Sequence, residues 1–92
     1  MLARYERKKR VECTSLRKGF RVFYKGQYIC DLLKVKSRKW RFSSFRESDK
    51  FEGLKLFLYC QTIMEFFTSK VAARQYLEEL LTDYEVGRRV PF

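Results

Sequence analysis

Hydrophobic and polar residues alternate with a period of two between residues 19 and 45. Residues 20–24 and 27–36 are rich in β-branched and aromatic side chains, and they flank Lys25-Gly26, whose glycine tolerates the positive φ of a tight turn. Ser37-Arg38 is predicted to form a second turn that leads into a third strand over residues 39–45. The pattern therefore predicts a three-stranded antiparallel β-meander.

Two-residue turns at both positions would sort the side chains of this meander onto two faces. In that register Val22 pairs with Ile29 and Val35 with Trp40. One face is mostly apolar and is predicted to be core: Phe20, Val22, Tyr24, Ile29, Leu33, Val35, Trp40 and Phe42. The opposite face combines cations with two aromatic rings: Arg21, Phe23, Lys25, Tyr28, Lys34, Lys36, Lys39 and Arg41.

Two residues fit this register poorly. Asp31 falls on the core face and Leu32 on the solvent-exposed face. Either a β-bulge lies near residues 30–32, or Asp31 lies at the sheet margin beside a Lys or Arg. A bulge would turn part of the second strand over and change the face assigned to Tyr28 or Lys34.

An apolar run over residues 54–67 is long enough to favour a helix, although alternating strands remain open. Asp49 and Glu52 could cap the start of this helix. As a helix, the run places one set of side chains in a single stripe that is predicted to be core: Leu56, Tyr59, Cys60, Ile63, Phe66 and Phe67.

The last element is a helix capped by Thr68 or Ser69 and ending near Gly87. Its predicted core face consists of residues at helical spacing: Ala73, Leu77, Leu80, Leu81 and Tyr84. This apolar surface exceeds what one face of a three-stranded sheet can cover. A homodimer or partner interface on the C-terminal helices is therefore a further hypothesis.

Taken together, these elements predict one α+β domain over residues 1–92, a three-stranded meander packed against one or two C-terminal helices. Residues 1–12 are assigned to a basic N-terminal arm, residues 19–45 to the meander and residues 50–86 to the helical half.

The charge of the chain is concentrated in its first half. Residues 1–46 carry 15 Lys/Arg and three acids, whereas residues 47–92 carry six Lys/Arg and eight acids. A cationic surplus interleaved with aromatic residues is typical of a surface that binds a polyanion, above all nucleic acid. Solvation of an exposed sheet face is the simpler alternative, but such a face usually mixes both signs.

We therefore expect a small, non-enzymatic nucleic-acid-binding protein that acts through the basic sheet face. Six cations are assigned to phosphates: Arg21, Lys25, Lys34, Lys36, Lys39 and Arg41. Phe23 and Tyr28 are assigned to bases or sugars. The basic run of the arm would add phosphate contacts or act as a localisation signal: Arg7, Lys8, Lys9 and Arg10.

Several classes of function lack their usual residues. The chain has no histidine, and its three cysteines (Cys13, Cys30, Cys60) form no CxxC motif, so neither a zinc site nor a disulfide framework is expected. Cys30 and Cys60 are predicted to be small core residues. No Gly-rich phosphate loop or nucleophile motif is present, and we expect no enzymatic activity, cofactor or metal.

A protein-interaction module is the alternative function, namely an adaptor or a phage-encoded inhibitor that docks on an acidic or nucleic-acid-binding surface of a larger complex. The sequence shows no apolar run of ~18 residues and no signal-peptide pattern, so we expect a cytoplasmic protein, nucleoid-associated or nuclear if it binds DNA. Attachment to anionic lipid ranks last because a basic amphipathic helix is missing.

Overall fold

A computed structural model describes residues 11–87, which form a four-stranded antiparallel sheet followed by two helices. The strands occur in sheet order β1-β2-β3-β4. Their bounds are Val11–Leu16 (β1), Gly19–Tyr24 (β2), Gln27–Lys36 (β3) and Lys39–Ser43 (β4). The α+β class is confirmed, whereas the predicted number of three strands is wrong.

The additional strand, β1, begins within the range that the sequence assigned to the basic arm. Val11 is buried and Cys13 is half-buried, whereas Glu12 and Thr14 are exposed, so β1 has the same alternation as the other strands. Sequence analysis missed this short alternation because it directly follows a run of charged residues. Residues 1–10, including the basic run, lie outside the described residues.

Both predicted tight turns are present. Lys25 and Gly26 have φ values of 50° and 82°, the pair of positive φ angles that closes a two-residue hairpin with the natural strand twist. Arg38 has φ 59° in the turn between β3 and β4.

The register of β3 differs from the predicted one because of a β-bulge at Ile29. Phe23 pairs with Tyr28, but Val22 pairs with Cys30, so Ile29 is an extra residue between the two pairs. From Cys30 to Lys34 the strand is therefore turned over, and a second irregularity between Lys34 and Lys36 returns Lys36 to its predicted face. The bulge was anticipated near residues 30–32, and it lies one residue earlier.

These changes of register move five side chains away from their predicted faces. Leu32 pairs with Phe42 and is buried, whereas Asp31 and Leu33 lie on the face away from the helices. Val35, predicted to be core, is 50% exposed. Lys34 pairs with Trp40 and so lies on the helix side, which contradicts its predicted place on the outward face.

The first helix, α1 (Leu54–Thr62), follows Gly53, which has φ 77° and provides no side-chain cap. The expected capping by Asp49 and Glu52 is therefore wrong. The helix buries Leu54, Phe57, Leu58 and Thr62, and the Thr62 hydroxyl donates a 2.7 Å hydrogen bond to the Leu58 carbonyl. The predicted core stripe is wrong, since Leu56, Tyr59 and Cys60 are exposed.

The second helix, α2 (Lys70–Val86), agrees with its prediction. The Ser69 side chain accepts a hydrogen bond from the Ala72 N–H, and Gly87 ends the helix with φ 72°. Its buried residues are Ala73, Leu77, Leu80 and Leu81. Together with α1 they cover one face of the sheet, which gives a two-layer fold with the other sheet face in solvent.

Side chains and a bridge occupy backbone groups at both sheet edges. On β1, the Val11 N–H donates to the Glu78 carboxylate at 3.1 Å, and the Arg74 guanidinium donates to the Val11 carbonyl. On β4, the Trp40 N–H and carbonyl exchange hydrogen bonds of 2.7 and 2.8 Å with Phe67. Helix α2 and the segment before it thus hold the two outer strands in place.

Candidate nucleic-acid interface

The sheet face opposite the helices, here called the outward face, contains most of the predicted site. Cross-strand partners share a face, and pairs join Thr14 to Arg21, Glu12 to Phe23 and Phe23 to Tyr28. Arg41 pairs with Leu33, and Lys36 pairs with Lys39. Of the eight predicted residues of the sheet, the structure brings six together on this face: Arg21, Phe23, Tyr28, Lys36, Lys39 and Arg41.

One half of the outward face is organised around Tyr28. The guanidinium carbons of Arg21 and Arg46 each lie 4.7 Å from the centroid of the Tyr28 ring, and the Phe23 ring lies 5.6 Å away. The Tyr28 hydroxyl donates a 2.7 Å hydrogen bond to Asp31. We call these five residues the Tyr28 cluster.

Asp31 has two roles in the Tyr28 cluster. Its hydrogen bond to the Tyr28 hydroxyl raises the pKa of that phenol, because the bond is lost when the phenol ionises. It also lies directly opposite Arg21 in the sheet, where opposite charges attract. Part of the cationic character of this half is therefore offset by a carboxylate of the same chain.

The other half of the outward face contains three cations and one exposed aromatic ring. The Lys39 ammonium lies 4.3 Å from the centroid of the Phe66 ring and the Arg41 guanidinium lies 5.8 Å from it. Phe66 is 47% exposed, and the backbone bridge between Phe67 and Trp40 holds it beside β4. Lys36 lies opposite Lys39.

The charges on the outward face are predominantly positive. Five cations contribute to it, Arg21, Lys36, Lys39, Arg41 and Arg46, against two acids, Glu12 and Asp31. Within residues 11–87, no carboxylate forms an ion pair with any of these five cations. Such unpaired guanidinium and ammonium groups can bind phosphates with release of counterions.

Two predicted phosphate ligands lie elsewhere. Lys25 forms an ion pair of 3.4 Å with Glu85 of α2, and its ammonium also lies 5.4 Å from the Tyr24 ring centroid. Lys34 faces the helix side, with its ammonium 5.9 Å from the Trp40 ring centroid. The other four predicted residues, Arg7, Lys8, Lys9 and Arg10, lie outside the described residues.

Sequence analysis missed two residues of the outward face. Arg46 follows β4, and its N–H donates to the carbonyl of the bulged Ile29 at 2.9 Å, which brings its side chain to Tyr28. Phe66 was assigned to a core stripe. No short-range signal marked either residue, since both positions depend on contacts between distant parts of the chain.

The three cysteines are free thiols at different depths. Cys30 is buried, Cys13 is half-buried and Cys60 is exposed, so the predicted core position of Cys60 is wrong. Burial strongly raises the pKa of the Cys30 thiol. Within residues 11–87, no three Cys, Asp or Glu side chains are grouped as metal ligands, and no helix has the length and apolar character to cross a membrane.

A separate apolar surface lies on α1. Leu56 and Tyr59 are each 47% exposed, and Met64, just after the helix, is 82% exposed. The Tyr59 ring packs edge-on against Phe45, with centroids 6.0 Å apart. This surface differs from the outward face because it exposes large aliphatic side chains.

No family model matches this chain, and neither the curated proteins nor the solved structures include one that is detectably similar.

Proposed function

We propose that this protein binds nucleic acid through the outward face without catalysing a reaction. The observation that carries the proposal is that Lys39 and Arg41 lie beside the exposed ring of Phe66, with Lys36 opposite Lys39. These cations have no carboxylate partner within residues 11–87 and would bind phosphates, while the ring would stack on a base or sugar.

The two halves of the outward face would have different roles. The half around Phe66 would provide most of the phosphate affinity, because none of its cations lies opposite an acid. In the Tyr28 cluster, Arg21 and Arg46 already contact a ring and Arg21 lies opposite Asp31. That half would position the strand, with planar guanidinium groups available to base edges.

Charge reversal at Lys36 and Arg41 tests this proposal. The double variant Lys36→Glu/Arg41→Glu should lower affinity for generic DNA or RNA by roughly 100-fold near physiological salt, since two phosphate contacts become repulsive. The measurement is a gel shift or anisotropy titration across a salt series. Each phosphate contact with duplex DNA contributes about 0.9 to the slope of log K against log[salt]. The loss of two contacts should therefore lower the magnitude of this slope by about 2, whatever the N-terminal arm contributes.

The matched control is Lys50→Glu/Lys55→Glu, which makes the same change in net charge at exposed residues before and within α1. It should change affinity only slightly and leave the salt slope intact. Equal losses in the two double variants would show that net charge alone drives binding. Unchanged binding by a folded Lys36→Glu/Arg41→Glu variant would rule out the outward face.

A second candidate function is a protein-interaction module, which the exposed apolar surface of Leu56, Tyr59 and Met64 favours. An adaptor or inhibitor would use this surface as its apolar anchor and the outward face against acidic groups of its partner. A partner protein, or a second copy of the chain, should then co-purify in fixed stoichiometry. The substitution Leu56→Ser with Met64→Ser should abolish that complex and leave nucleic-acid affinity unchanged.

A further inference from the structure

An open cleft lies at one end of the sheet, on the helix side rather than on the outward face. The Arg17-Lys18 turn between β1 and β2 forms one wall, and the rings of Phe20 and Trp40 form another, with Lys34 beside them. The volume of the cleft is about 400 Å³. We call it the Trp40 cleft, defined by Arg17, Lys18, Phe20, Lys34 and Trp40.

Backbone contacts hold the walls of the Trp40 cleft in place. The Lys34 N–H donates a 2.9 Å hydrogen bond to the Lys18 carbonyl, which ties the turn to β3. Gly19 allows this close approach, because a Cβ at this position would overlap the Leu32 carbonyl oxygen and lie 2.9 Å from the Leu33 Cα. Phe67 fixes Trp40 through two backbone hydrogen bonds.

The Phe20 and Trp40 rings are close to parallel, with an interplanar angle of 23° and centroids 6.1 Å apart. Both side chains are half-buried and line the cleft; Trp40 packs against the core, and Phe20 packs against Trp40. Accessible aromatic surface of this kind can stack on a planar ring, with a contribution of about 1 to 3 kcal/mol per base in nucleic-acid complexes.

Four cations surround these rings. Arg17, Lys18 and Lys34 line the cleft, and the Lys70 ammonium lies 4.7 Å from the Phe20 ring centroid. All four are exposed. No Asp or Glu lines the cleft, and within residues 11–87 none forms an ion pair with these cations. The cleft therefore combines an aromatic surface with positive charge that no carboxylate of the described residues offsets.

We propose that the Trp40 cleft binds a nucleotide, with the base against Phe20 and Trp40 and the phosphate held by Lys34 and the Arg17-Lys18 turn. Its volume lies within the range of small-ligand sites. The nucleotide is either a free mononucleotide or the terminal unit of a strand, since both present the same base and phosphate. This site is distinct from the outward face, and the proposal does not depend on nucleic-acid binding there.

The fluorescence of Trp40 provides a direct test, because Trp40 is the only tryptophan in the chain. Adenosine monophosphate should quench its emission in a saturable titration, whereas adenosine without the phosphate should bind at least about tenfold more weakly. Inorganic phosphate alone should not quench. A short single strand with a 5′-phosphate is compared with the same strand without one, and tighter binding of the former identifies a strand end as the ligand.

The variant Lys34→Glu with Arg17→Glu should weaken nucleotide binding by about tenfold or more, because charge-assisted hydrogen bonds to the phosphate are lost. Both residues are exposed, so the fold should survive. The control Lys50→Glu/Lys55→Glu, with the same net charge, and the outward-face variant Lys36→Glu/Arg41→Glu should bind the nucleotide normally.

Three results would overturn the proposal. The first is an absence of quenching by the mononucleotide and by both strands. The second is equal binding of adenosine and its monophosphate, and the third is binding that survives Lys34→Glu/Arg17→Glu. Because the mononucleotide titration does not involve the outward face, a failure here is separate from a failure of the proposed function.

Discussion

The Tyr28 cluster and the Trp40 cleft both combine aromatic rings with several cations, yet they differ in one respect. The Tyr28 cluster contains its own acid, Asp31, which accepts a hydrogen bond from the Tyr28 hydroxyl and lies opposite Arg21. Among residues 11–87, no acid lines the Trp40 cleft. A cation that already has an anionic neighbour gains less from a phosphate than one that faces only rings and water.

This difference shows that a positive patch is not a uniform property of a surface. The sequence analysis assigned Lys25, Arg21, Lys36 and Arg41 alike to phosphates. In the structure, however, Lys25 forms an ion pair with Glu85. The places where a polyanion gains most are those where folding supplies no carboxylate. On this argument, the Trp40 cleft and the half of the outward face around Phe66 have the highest potential affinity.

The largest expected effect follows from substitution of Gly19, the first residue of β2. This strand contributes Arg21 and Phe23 to the Tyr28 cluster and Phe20 to the Trp40 cleft. Gly19→Ala would force β2 away from β3, because the new Cβ would overlap the Leu32 carbonyl oxygen and lie 2.9 Å from the Leu33 Cα. We expect a loss of at least about 3 kcal/mol in the free energy of unfolding. Denaturant unfolding followed by circular dichroism measures it, and faster reaction of the buried Cys30 thiol should accompany it.

Gly26→Ala is the matched control for Gly19→Ala. No atom lies within 4 Å of a Cβ at Gly26, but φ there is 82°, so only backbone strain of about 1 to 2 kcal/mol is expected. If the two substitutions cost the same, the close approach of β2 and β3 is not what requires glycine at position 19.

A smaller effect should distinguish paired from unpaired cations. Lys36→Gln should lower nucleic-acid affinity roughly fivefold near physiological salt, whereas Lys25→Gln should change it by less than about twofold. Lys25→Gln removes an exposed ion pair with Glu85 and should lower the free energy of unfolding by at most about 1 kcal/mol. Anisotropy titrations and unfolding curves measure both. Equal losses of affinity would mean that pairing does not matter.

The smallest effect concerns Asp31 itself. Asp31→Asn should raise nucleic-acid affinity slightly, because it removes an acid from the outward face. The same substitution should lower the pKa of Tyr28 toward its ordinary value of 10.0, because the hydrogen bond to the Asp31 carboxylate is lost. The raised pKa in the folded chain contributes stability that is present below about pH 10 and is lost as the pH rises through the folded value. Spectroscopic titration of the tyrosines should show the shift. An unchanged titration curve would exclude the Asp31 hydrogen bond as its cause.

The regular parts of this fold were predictable from local patterns. The turn at Lys25-Gly26 and helix α2, with its Ser69 cap and Gly87 end, agree with the sequence. Both depend on residues close together in the chain. Strand β1 was missed altogether, because its six residues directly follow a charged run.

Other parts depend on contacts that no local pattern encodes. The bulge at Ile29 is set by pairing between β2 and β3, and it alone moved Lys34 to the helix side. Helix α1 has apolar residues on both sides, so periodicity could not show that Phe57 is buried and Leu56 exposed. For the candidate site, the residue types were therefore predictable, but the partners of each charge were not.

The hydrogen bonds at Val11 and Trp40 have a consequence for self-association. In an open sheet, the outermost strands present free donors and acceptors that can template growth by strands of other molecules. Here one residue on each rim has both its donor and its acceptor occupied from within, by Glu78 and Arg74 at one rim and by Phe67 at the other. An incoming strand would meet an interrupted ladder at either rim, which disfavours edge-to-edge extension of the sheet.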